Sequence, residues 1–469
     1  METVPLLLES SEGNYKQNLW WRIFDESKKL WRIVGPAIFQ RVVIYGMVVI
    51  TQAFAGHLGD LELAAFSIST IITGFSFGLF LGMASALETL CGQAFGAKKY
   101  NMLGIYLQRS WIVLFLFAVL LLPVYIYTTP FLKLCGEPDD LAKMAGFITI
   151  WQIPQHFAYL ILLTLTRFLQ SQLKNCVTAA SAGIAFVTHI SLCWLFLYKW
   201  HFGLVTASLI LNGGWWMATF VQFFYVVCGG CPDTWKGFSV DAFADLWEFA
   251  KLSTSSGVML CLENWYYRVL VLLTGNLPNA EIAVGALSIC MGINTWELMI
   301  PFGFFAGTGV RVANELGAGR GQAAKFVMIV SVMTSLFIGI FFWALILAFH
   351  DKIALLFTSS KVILNAVDNL SILLAFTILL NSVQTVLSGV AVGSGWQALV
   401  AYVNIGCYYL IGVPFGIILG CAFHYGVVGI WAGMIGGTCV QTIILAVLAM
   451  RCNWTEEANR ASTRISRSK

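Results

Sequence analysis

Twelve stretches of this 469-residue chain are apolar over the roughly 20 residues a helix needs to cross a hydrocarbon layer, and they follow one another with few breaks. They run over about 30–56, 61–90, 106–130, 143–168, 175–198, 203–228, 246–274, 281–311, 325–349, 363–392, 398–422 and 426–450. Lipid offers no hydrogen-bond partners to the backbone, so such stretches have to be helices. The expected fold is all-α and integral to a membrane. With 59% hydrophobic and 11% charged residues and a mean hydropathy of +0.80, no single soluble core would call for this composition.

The placement of charge orients the chain. Most of its 27 Lys and Arg residues fall in the even-to-odd loops and termini that share one side if both ends are cytosolic. Lys133, Lys143, Lys199, Lys352 and Lys361 remain on the other side, and Arg41 and Arg268 lie inside spans. The positive-inside rule then favours an even number of helices with both termini in the cytosol. The first apolar run, Pro5 to Leu8, is too short for a cleavable signal, so the first span is expected to act as its own. A net charge of +4 gives no reason to expect a nucleic-acid partner.

Gly229 to Leu246 is the main polar interruption and divides the spans six and six. The halves repeat at an offset of 221: Leu61–Ile68 lies over Ile282–Ile289, and Gly82, Gly96 and Ala97 lie over Gly303, Gly317 and Ala318. An even number of spans per half makes these parallel repeats about an axis along the membrane normal, with a path between them. The expected organisation is a cytosolic segment 1–28, a first lobe 29–230, a linker 231–245, a second lobe 246–451 and a basic cytosolic tail 452–469. Trp20 and Trp21 read as interfacial anchors.

Glu263 sits mid-span in Ala250–Thr274, where a carboxylate is expensive and by default faces a water-filled cavity and helps move something. A desolvated carboxyl is suited to trading a proton near physiological pH; the competing account is a structural carboxylate held by an Arg or an amide. Glu297 is the second intramembrane acid and serves either a cavity or a pairing with Arg268. Tyr266, Tyr267, Trp265, Trp296, Phe304 and Phe305 could wall a site for planar solutes or could face lipid. Glu88 and Arg109 are expected to pair across the loop after the second span, as a structural pair or a gate. Pro36, Pro154, Pro301 and Pro414 favour kinks. No Walker A loop is present, which excludes an ATP-driven pump of that type, and neither the scattered histidines nor Cys228-x-x-Cys231 has metal-ligand spacing.

The segments AGHLGDLELAAFS, ALETLCGQAFGAKK, LENWYYR, RVANELGAG and GVAVGSGWQ occur in order along the chain. On these, the chain resembles the plant branch of the multidrug and toxic compound extrusion (MATE) family across essentially its full length. The resemblance implies two pseudo-symmetric six-helix lobes forming a V, and a secondary active transporter that exports or sequesters organic compounds, such as flavonoids, alkaloids or xenobiotics, in exchange for H+. It is not an enzyme and needs no cofactor beyond the proton gradient. The family's seventh-helix carboxylate falls on Glu263, and Trp296-Glu297 resembles a pair in the flavonoid-transporting subgroup. Glu297, Trp296, Tyr266, Tyr267, Asn264, Asn381 and Arg268 are the expected cavity residues, with Glu88, Gln93, Arg109 and Pro36 as gate or structural positions. Asn381 departs from the Asp that relatives often carry there, and the first span, read as 30–56, has no acid, so coupling is expected to rest on Glu263.

The expected partners are a small organic solute, H+ and the bilayer, for a chain acting as a monomer. An acidic dileucine pattern at Glu2–Leu7 favours the vacuolar membrane, with the plasma membrane as the alternative. A lipid-linked flippase of the same superfamily and a membrane-embedded enzyme are the competing functions.

Overall fold

The computed structural model describes residues 18–275, 280–355, 357, 358 and 360–467. The Glu2–Leu7 pattern lies outside them. The first half contains α1 (Leu19–Leu58), α2 (Asp60–Gly96), α3 (Asn101–Ile126), the short α4 (Thr128–Leu134), α5 (Asp139–Trp151), α6 (Ile153–Ser171), α7 (Asn175–Lys199) and α8 (Leu204–Gly230). The second contains α9 (Leu246–Thr274), α10 (Ala280–Gly317), α11 (Gly321–Ala354), α12 (Lys361–Ser394), α13 (Gln397–Ala422) and α14 (Gly426–Arg451), followed by α15 (Trp454–Arg467).

Ten of these helices are long and apolar enough to cross a membrane, and α5 with α6, bent by 46° at a break next to Pro154, makes an eleventh. Helix α9 is not among them. Its Glu263, Asn264, Tyr266, Tyr267 and Arg268 lower its hydropathy, yet it packs along α2 and α13 within the same bundle. Hydropathy therefore falls short in the helix that carries the site acid.

The halves meet along α1 and α2 on one side and α9 and α10 on the other, and the repeat is visible in how they touch. A Cβ at Gly82 would lie 2.8 Å from the Cα of Gly257 on α9, the first helix of the second half; its repeat mate Gly303 packs just as tightly on Ile38 of α1, the first helix of the first. Gly96 abuts the carbonyl of Asn314, and its mate Gly317 abuts that of Gln93. Only hydrogen in place of a side chain lets these backbones approach so closely. Reciprocal contacts of this kind are what a two-fold axis between parallel repeats requires.

Two expectations about the chain ends change. Helix α1 begins at Leu19, well before the apolar run, and so brings Glu26 onto the first helix, where it accepts both Nε and Nη2 of Arg311 at 3.0 Å. The tail is not merely a basic strand beside the bilayer. It folds as α15, whose Trp454, Ala458, Ala461 and Ile465 are buried against the bundle, a helical spacing that one amphipathic face produces.

Candidate functional site

Three elements converge on Glu263. The residue lies midway along α9, and its Oε1 accepts hydrogen bonds from Ser388 Oγ of α12 at 3.1 Å and from Asn404 Nδ2 of α13 at 3.2 Å. Asn404 is itself held by Gln441 of α14, which donates to its Oδ1 at 3.1 Å, and a π-helical stretch, Ile405–Gly412, begins immediately after it. Such turns re-aim a side chain within a helix and are frequent at working sites. No guanidinium or ammonium pairs with Glu263 among the described residues. The structural alternative of an Arg partner therefore does not apply, whereas the amide contact is real. Ser388 and Asn404 escaped the sequence reading; the signal for them was a polar residue inside an apolar span.

A second chain of polar groups lies one turn along α9. Tyr267 donates to Asn381 Oδ1 at 2.7 Å, and Asn381 donates to Asn294 Oδ1 at 3.2 Å. Asn294 precedes Glu297 by three residues on α10 and so shares its helix face. Both carboxyl oxygens of Glu297 are buried without a hydrogen-bond partner, and the residue is 6% exposed. Arg268 is exposed and pairs with neither acid, so its expected pairing with Glu297 does not form. Asn381 thus joins α9 to α10 through amide chemistry.

The expected cavity residues do not share one wall. Tyr266 is 1% exposed, stacks on Tyr408 at 4.3 Å and donates to the carbonyl of Met434, which makes it a pillar of the second half. Phe304 and Phe305 are buried where the halves meet, against Trp31 and beside Arg167. Asn264 lies on the face of α9 that meets Gly78 of α2, its amide tied back to Leu260. Trp265 rests against Phe75 of α2, and Trp296 against Tyr45 of α1 at 4.9 Å, so these two rings line the junction itself. The void bordered by Tyr266, Tyr267, Thr377, Asn381, Trp431 and Thr438 measures about 10 Å³, room for one water and not for an organic solute. A cleft of about 490 Å³ opens between the far ends of α1 and α2, beside Gln52 and His57, and contains none of the expected residues.

Glu88 does not pair with Arg109. It is fully buried and faces Arg167 of α6, 2.6 Å away, while Arg109 reaches Asp245 at 3.7 Å and the carbonyl of Asp241 at 3.2 Å. The reason is topological: α2 packs along α6, which offers a guanidinium at the depth of Glu88. Arg167, expected at the membrane edge, is 2% exposed.

Below Glu88 the halves are sealed. Thr89 donates to the carbonyl of Val392 at 2.6 Å and accepts from Gln397 at 2.7 Å, and Gln93 donates to the carbonyl of Gly393 at 3.1 Å. Arg464 of α15 donates to Gln93 Oε1 at 2.9 Å, and Trp396 donates to Glu457 of α15 at 3.1 Å. Burial lowers the pKa of Arg464, an effect that Glu457 and Tyr106 partly offset. Pro36 lies in α1 on this same junction, two residues from the Ile38 that packs on Gly303. The conspicuous segments at 86–98, 310–319 and 389–397 thus meet in one closed seam. The MatE family pattern matches residues 36–195 and 256–418.

The chain belongs to the MATE family. It is 64% identical over 448 residues to Protein DETOXIFICATION 27 of Arabidopsis thaliana, covering 95% of this chain and 92% of that one. It is 59% identical to Protein DETOXIFICATION 28 of the same plant, covering 99% and 95%. The crystal structure of a eukaryotic MATE transporter, AtDTX14, superposes with a TM-score of 0.90 at 33% identity, over 94% of this chain and 99% of that chain. The Vibrio cholerae MATE transporter VcmN shares the fold alone, with a TM-score of 0.83 at 15% identity over 92% and 99%. This MATE chain is a membrane transporter rather than an enzyme, and its fold is the family's all-helical one.

Proposed function

We propose that this MATE transporter moves organic compounds in exchange for H+, and that Glu263 carries the proton. Support comes chiefly from one observation: Glu263 is a mid-span carboxylate held by neutral donors, Ser388, Asn404 and Gln384, and by no cation among the described residues. Neutral donors leave the carboxyl able to exist with or without its proton, whereas a guanidinium would fix it as the anion. Protonation from the acidic side removes an acceptor and loosens α12 and α13 from α9. Substrate and proton then compete for one region as the halves rock between two arrangements. In this proposal α9 is the twelfth span, both termini are cytosolic, the chain acts as a monomer in the vacuolar membrane, and Glu297 and Trp296 contact substrate where the halves part.

The test is substrate uptake by sealed vesicles under an imposed pH gradient. Glu263→Gln, which keeps the shape and removes the titration, should insert normally and lose gradient-driven uptake by about a hundredfold or more, as expected when a step's only proton carrier goes. Glu263→Asp should retain part of it. Undiminished uptake by the Gln variant would refute the mechanism.

A further inference from the structure

Charge does not balance inside the first half. Among the described residues, Glu88 is the only carboxylate near two membrane-depth guanidiniums, Arg167 and Arg41, and its close contact is with Arg167. Arg167 also donates to Gln170 at 3.3 Å, yet its Nη2 is buried without a partner. Arg41 forms neither an ion pair nor a hydrogen bond with any described residue; its guanidinium rests 5.3 Å above the ring of Phe302, across the junction on α10. An arginine offers five N–H donors in a fork matched to a carboxylate. A cation held at membrane depth with every donor unused lacks its counter-ion.

The surroundings describe that counter-ion. Arg41 is partly exposed, unlike Gln40 beside it, and shares the face of α1 that meets α10 with Ile38 and Tyr45. Trp296, 41% exposed, leans on Tyr45 one turn further on. Guanidinium and exposed indole therefore border the same junction, one offering donors to an anion and the other a flat face to a ring. Glu263 and Glu297, on the opposite half, disfavour an anion any deeper in that direction.

We propose that Arg41 docks the anionic group of an aromatic organic acid, a carboxylate or sulfate, while the ring lies against Trp296. The proposal rests on the transport of organic solutes put forward above, and it assigns the two charge signs to the two halves: organic anion on the first, proton on the second. Phe302 holds the guanidinium plane in place from below, and Arg167, occupied by Glu88, supplies background positive potential.

Equilibrium binding to the full chain in nanodiscs, with no gradient and with empty discs as reference, decides it. The probes are 2-naphthoate, 2-naphthamide and 2-naphthylmethylamine, which share a ring and differ in charge. The naphthoate should bind at least about tenfold more tightly than the amide, since only it forms a bidentate charge-assisted pair. Arg41→Gln should bring naphthoate down to the amide's level and leave the amide unchanged, and Arg41→Lys should fall between, keeping charge without the fork. Rising salt should weaken naphthoate and leave the uncharged naphthamide unchanged. Equal binding of acid and amide by the native chain would overturn the proposal, as would an Arg41→Gln protein that still prefers the acid. If that variant does not fold, the native salt series and Arg41→Lys decide, and a salt-independent naphthoate affinity is equally fatal. Binding without a gradient is blind to proton coupling, so loss of the Glu263 mechanism would leave these results untouched.

Discussion

The two halves hold their mid-membrane acids by opposite means. In the first, Glu88 faces Arg167 directly, so its charge is met by another and the pair is locked between α2 and α6. In the second, Glu263 meets a hydroxyl and amides, and Glu297 meets no hydrogen-bond donor among the described residues. A paired charge fixes structure because breaking it strands the partner, whereas a carboxyl among neutral groups can change its protonation without stranding a charge. One repeated fold thus holds one buried acid by a guanidinium and another by neutral donors.

Breaking the guanidinium pair should have the largest effect on stability. Glu88→Gln strands the Arg167 guanidinium at depth and should cost about 3–5 kcal/mol, the usual result of removing one member of a buried pair. Denaturation of purified protein would measure it, with Glu263→Gln as the reference, expected to lose under about 1 kcal/mol because only neutral hydrogen bonds change. Equal losses in the two variants would erase the distinction between the halves.

Glu297 sharpens it further. Glu297→Gln should weaken apparent affinity for cationic or hydroxylated substrates by about three- to tenfold, the scale of one ordinary net hydrogen bond, while uptake still follows the pH gradient. Affinities across a substrate panel would be compared. Uniform loss of all transport would make Glu297 a second proton carrier.

The smallest effect concerns the seam that joins the halves. Arg464→Ala removes the hydrogen bond from α15 to Gln93, worth about 1 kcal/mol, and should favour parting of the halves at that end about fivefold. A cysteine placed at buried Ser394, Ser394→Cys, would then react with a maleimide correspondingly faster. No change in labelling rate would mean that α15 rests on the second half without restraining the first.

Much of this was already legible along the chain. Long apolar stretches can only be helices in lipid, so the class was determined, and the 221-residue offset gave the parallel repeat that Gly82 and Gly303 realise as reciprocal contacts. Glu263 stood out because charge inside an apolar stretch is rare, a purely local signal. Partners were another matter. Loop proximity suggested Arg109 for Glu88, but an ion pair is decided by which helices pack together, and α6 lies against α2.

Amphipathic aromatic segments were equally ambiguous. Tyr266 and Tyr267 are neighbours in the chain, yet consecutive helical side chains diverge by about 100°, so one stacks inside the second half and the other reaches Asn381. The sequence by itself determined a membrane-embedded, two-fold repeated helical transporter with an acid in its seventh stretch, because composition, period and the cost of buried charge are local properties. Tertiary structure alone decided that Glu263 would meet Ser388 and Asn404, that Glu88 would meet Arg167 and that Arg41 would meet no acid, because those contacts join residues scores to hundreds of positions apart, and only helix packing brings them within a few ångströms.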